Sequence, residues 1–117
     1  MYRIVVTDHF DAAHYLPGIE VCCNLHGHTW KVEACVCSPK LNSHLMVADF
    51  RLIKSAWKKY DHTLLNDAIP MPTAEVLCER IWDNIMQVIE VSNPKSFIES
   101  VRVWESENSY AECCGDL

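Results

Sequence analysis

The chain has 117 residues, enough for one hydrophobic core and too few for two, and it carries a formal net charge of −6. Half of the residues are hydrophobic and 22% are charged, ordinary values for a globular protein. The acidic balance and ten scattered basic residues argue against a nucleic-acid surface, and no apolar run is long enough to span a bilayer. Seven cysteines form an odd set without zinc-knuckle spacing, and no secretion signal precedes them. Most are therefore expected as small buried hydrophobes rather than disulfides, in a cytoplasmic protein.

In chain order, residues 2–9 are rich in Ile, Val and Thr and predict a first strand. Residues 10–27 hold Pro17 and Gly18 and predict a loop. From His28 to Cys37, Trp30, Val32, Ala34 and Val36 alternate with Lys31 and Glu33, the period of a half-buried strand. Asp49 predicts the N-cap of a helix reaching about Tyr60, with Phe50, Ile53, Ala56, Trp57 and Tyr60 at helical spacing. Thr73 predicts the cap of a longer helix to about Val91, whose stripe is Leu77, Ile81, Ile85, Val88 and Ile89. "SFIESVRVWES" and "SYAECC" predict two last strands. The order ββααββ, in one domain over residues 1–117, is an α+β fold: a four-stranded, mostly antiparallel sheet with two helices on one face. Its free edges call for charge or for assembly.

The chemistry concentrates in "CCNLHGHTW". If a strand begins near His26, then His26 and His28 project to one face together with Trp30. Pairing of the first two strands would add His14. Three neutral imidazoles leave one position open on Zn²⁺, as in catalytic zinc sites, whereas histidines hydrogen-bonded at a surface turn are the plain alternative. A thiol near such an ion becomes a competent base or nucleophile, and spacing does not choose between Cys22 and Cys23. Asp61 precedes His62; a carboxylate that orients an imidazole is a common catalytic pair, but adjacent residues need an irregular turn to make one. Glu105 shares strand parity with Val101 and Val103, so it either recognises paired N–H groups of a flat ligand or marks where the strand meets solvent.

The ordered blocks "FDAAHYL", "CCNLHGHTW", "VADF", "YDHTLLND", "PTAEVL" and "VRVWES" resemble the 6-pyruvoyl-tetrahydropterin synthase family, and within it the short bacterial 6-carboxy-tetrahydropterin synthases of queuosine biosynthesis. The resemblance runs from about residue 9 to residue 112 and includes H-x11-H-x-H with C-x3-H in the same loop. It implies the T-fold, with sheets closing into a barrel in a trimer and trimers pairing as hexamers. It implies Zn²⁺ on His14, His26 and His28, and catalytic roles for Cys22, Asp61 and His62. It also implies that Glu105 anchors the pterin and that Thr73 lies near it. The implied reaction converts 7,8-dihydroneopterin triphosphate to 6-carboxy-5,6,7,8-tetrahydropterin, with loss of acetaldehyde and triphosphate. The alternatives are elimination of triphosphate alone to 6-pyruvoyl-tetrahydropterin, a non-catalytic zinc or pterin carrier, and a structural zinc module with a closed four-ligand shell.

Overall fold

A computed structural model of the chain describes residues 1–21 and 23–115. Its elements are β1 (Tyr2–His14), β2 (His26–Ser38), α1 (Phe50–Lys58), β3 (Thr63–Leu64), α2 (Ala74–Ser92), β4 (Phe97–Ser106) and β5 (Ser109–Cys114). The sheet runs β3-β1-β2-β4-β5. Its four long strands are antiparallel, and both helices lie on one face, as expected. The two-residue β3 is an addition to the expected order; it pairs in parallel with Ala12 and Ala13 of β1.

The helix-facing side of the sheet alternates as the sequence predicts. Trp30, Val32, Ala34 and Val36 of β2 are fully buried against Ile53 and Trp57 of α1 and Leu77, Ile81 and Ile85 of α2. Both caps form. Asp49 accepts a hydrogen bond from the Arg51 amide at 2.8 Å, and Thr73 accepts from the Val76 amide at 3.2 Å. Phe50 is the exception to the first stripe; at the first position of α1 it is exposed rather than packed.

The largest departure is in β1, which continues to His14 where a loop is expected from residue 10. Asp11, Ala12 and Ala13 are weak strand formers, yet each is matched across the ladder by β2, and Phe10 stacks on Trp30 with ring centroids 6.1 Å apart. Cross-strand packing overrides local preference here. The extension carries His14 into register opposite His26, and Ala12 opposite His28.

Candidate metal centre

Residues directly opposite in an antiparallel ladder share a face, so the β1–β2 register puts His14, His26 and His28 on the helix-facing side. Their ring centroids are 4.6, 5.1 and 4.7 Å apart. Trp30 forms the floor beneath them, 4.9 Å from the His14 ring and 5.4 Å from the His28 ring, and its indole N–H donates to the Ala12 carbonyl. His14 has no exposed surface.

The orientation of each ring is set from behind. His14 Nδ1 lies 2.8 Å from the Pro72 carbonyl oxygen, and His26 Nδ1 lies 2.7 Å from that of Asn24. A carbonyl only accepts, so each of these rings carries a proton on Nδ1, and a ring with one proton keeps its lone pair on Nε2. Those two Nε2 atoms face each other at 3.0 Å. Two lone pairs repel at that distance unless a proton or a metal ion lies between them. Two nitrogens bound to one tetrahedral zinc stand about 3.3 Å apart, close to what is found. His28 Nε2 is buried and makes no hydrogen bond, although Glu105 Oε1 lies 3.1 Å away, because the carboxylate is off the direction of the ring nitrogen. Burial lowers the His28 pKa, outweighing the opposing effect of Glu105. Three inward Nε2 atoms, that of His28 without a hydrogen-bond partner, are a donor set suited to zinc.

Glu105 stands at the rim of the triad, 4.0 Å from His14 Nε2 and partly exposed. All four side chains place a ligating atom within 4.8 Å of one another. On its other side Glu105 lines an open cleft of about 890 Å³ with Glu75, Ser106, Tyr110 and Cys78. Thr73 caps α2 next to this cleft, beside the carbonyl of Pro72 that orients His14.

Asp61 and His62 do meet, through the irregular turn such a contact requires. His62 adopts φ 59°, unusual for a residue with a side chain, and its Nδ1 comes within 3.1 Å of Asp61 Oδ2. Asp11 of β1 holds the turn from both sides. Its amide donates to Asp61 Oδ1 at 2.8 Å, and its carbonyl accepts from the His62 amide at 2.6 Å. The Asp11 amide, with smaller help from His62, holds the Asp61 carboxyl below its ordinary pKa. A cleft of about 600 Å³ is lined by both His28 and His62. Cys22 lies outside the described residues; Cys23 is exposed, with its thiol donating to the Glu20 carbonyl.

Sequence reasoning missed the Pro72 and Asn24 carbonyls, Asp11 as the tether of the turn, and Glu75 beside Glu105. Asp11 lies within the quoted "FDAAHYL" block. The carbonyls left no signal, because any residue supplies one.

Residues 3–116 match the family described as 6-pyruvoyl tetrahydropterin synthase. The chain belongs to that family. A relative of the family from Archaeoglobus fulgidus, provisionally named a 6-carboxy-5,6,7,8-tetrahydropterin synthase, is 38% identical over 113 residues, covering 93% of this chain and 92% of its own. The 6-carboxy-5,6,7,8-tetrahydropterin synthase of Bacillus subtilis is 32% identical, covering 87% of this chain and 77% of its own. Among solved structures, the 6-pyruvoyl tetrahydropterin synthase of Caenorhabditis elegans superposes with a TM-score of 0.74 at 20% identity, over 98% of this chain and 96% of its own. That of Plasmodium vivax gives 0.72 at 17% identity, over 99% and 98%. These two show the shared fold.

Proposed function

We propose that this member of the pterin synthase family is a zinc-dependent lyase that converts 7,8-dihydroneopterin triphosphate to 6-carboxy-5,6,7,8-tetrahydropterin, with release of acetaldehyde and triphosphate, in queuosine biosynthesis. The observation that carries this reading is the convergence of three histidine Nε2 atoms, two of them left with inward lone pairs by the carbonyls behind their rings. The names of the bacterial and archaeal relatives support the carboxy product over the pyruvoyl one.

His14, His26 and His28 would hold the ion. When bound, it supplies Lewis acidity toward the hydroxyls of the substrate side chain. Glu105 turns its carboxylate toward the ring and accepts two N–H groups side by side, the bidentate pattern a 2-amino-pyrimidine edge offers. Thr73, at the start of α2, borders the ring. Asp61 accepts a hydrogen bond from the Nδ1–H of His62 and so commits Nε2 to taking or giving a proton at the substrate side chain. Cys22, four residues before His26 in sequence, is the thiol partner of that transfer. The free edge of β5 and the stretch of β1 ahead of its pairing with β3 fit assembly into trimers or hexamers, expected as a mass several times that of the chain.

One observation favours a second reading. Glu105 Oε1 stands 3.1 Å from His28 Nε2, where it could close a four-ligand structural shell. Glu105→Gln separates the two. As a pterin anchor, the variant retains zinc by elemental analysis and binds pterin more weakly. As a fourth ligand, it loses zinc.

A further inference from the structure

On the sheet face away from the helices, Cys35 and Cys37 stand side by side, two residues apart on β2, both buried yet outside the main core cluster. Opposite them the β2–β4 ladder slips. Cys35 pairs with Ser100 and Val36 with Ile98, so Glu99 is the extra residue of a bulge. Bulges re-aim side chains. This one brings Glu99 Oε2 against both thiols, 3.2 Å from Cys35 Sγ and 3.4 Å from Cys37 Sγ. Arg3, which faces Cys37 across the β1–β2 ladder, holds the other carboxylate oxygen at 2.8 Å.

We infer that Cys35, Cys37 and Glu99 form a second metal site, distinct from the histidine triad, that takes a thiophilic divalent cation of the zinc class. The ligating atoms lie within 4.8 Å of one another. A sulfur and an oxygen bound to one tetrahedral zinc stand about 3.5 Å apart, close to the distances found. Two thiolates select zinc over magnesium or calcium. Two thiolates and a carboxylate carry one negative charge more than the ion neutralises, and the Arg3 guanidinium supplies the balance. Glu99 and Arg3 are open to solvent on this side and give the ion a path in. The fourth position is left to water.

On binding, two S–H bonds break, two metal–sulfur bonds form, and two protons pass to solvent. Burial, aided by Glu99, pushes the Cys35 thiol up to about 12, and burial raises that of Cys37, so both are protonated before the ion arrives. Occupancy therefore rises with pH. The site is independent of the proposed lyase chemistry and survives its failure.

The test is a cobalt(II) titration of the full chain after chelator treatment, reading the near-ultraviolet thiolate-to-cobalt charge-transfer band. The unmodified chain is expected to take up two equivalents, one of them raising the thiolate band, and C35S/C37S to take up one equivalent and lose that band. Where the double variant does not fold, C37S alone is expected to lose about half of it, in proportion to thiolates bound. A thiolate band that is missing from the unmodified chain, or unchanged in the variants, overturns the proposal.

Discussion

His26→Ala removes one of three converging nitrogens and strands the lone pairs of the other two. The expected result is zinc affinity at least about 100-fold weaker, since disturbing even the groups behind a ligand costs 10–100-fold. Equilibrium dialysis with elemental analysis reads it. His62→Ala is expected to keep zinc and to lower kcat by about 10²–10⁴-fold, the usual worth of a general acid–base group, with a smaller change in KM. The His28 pKa is lowered in the fold, mainly by burial. The metal-free unfolded chain therefore binds a proton there that the metal-free folded chain refuses. Stability of the stripped protein should fall as pH drops from about 6.5 toward the lowered value, and level off below it. Denaturant melts of the metal-free protein at several pH values check the sign, and His28→Gln should flatten the slope. At this scale the shared face of His26 and His28 was legible from strand period alone, whereas His14 joins them only because β1 runs on past the expected loop start to pair with β2. The Asp61–His62 contact was not legible, since it depends on a left-handed residue pinned by a strand far away in sequence.

The elements depend on a few end groups and one shared core. Thr73→Ala removes the α2 cap and should cost about 1 kcal/mol, read as a drop in Tm of roughly 4 °C. It also loosens the turn that carries the Pro72 carbonyl, so a modest loss of zinc affinity should accompany it. Ile81 is fully buried between α2 and the sheet, and Ile81→Ala should cost about 2–5 kcal/mol without changing zinc stoichiometry in the protein that remains folded. Both helices were readable from the sequence because cap and stripe agree at each. The end of β1 was not. "FDAAH" has neither strand propensity nor a clear period, and only its match to the alternating β2 draws it into the sheet. β3 was invisible for a similar reason: two residues cannot show a period, and their strand character comes from the edge of β1.

For the molecule as a whole, the sheet places two chemistries on opposite faces. The histidine triad lies on the helix-covered side, close to the cleft of Glu105, and the thiol cluster lies on the open side. None of the helices among the described residues is long and apolar enough to cross a membrane. The α+β arrangement could be read from the order of periods, whereas which edges meet a neighbouring copy depends on shapes that no single chain's pattern encodes. The account rests on a zinc ion held by three imidazoles with room left for substrate. Acetaldehyde release from 7,8-dihydroneopterin triphosphate, followed in zinc-loaded, chelator-stripped and zinc-restored protein, tests this most directly. Release that is lost on stripping and regained with zinc is the predicted result; release that persists unchanged without the metal, or none from the fully loaded protein, would contradict it.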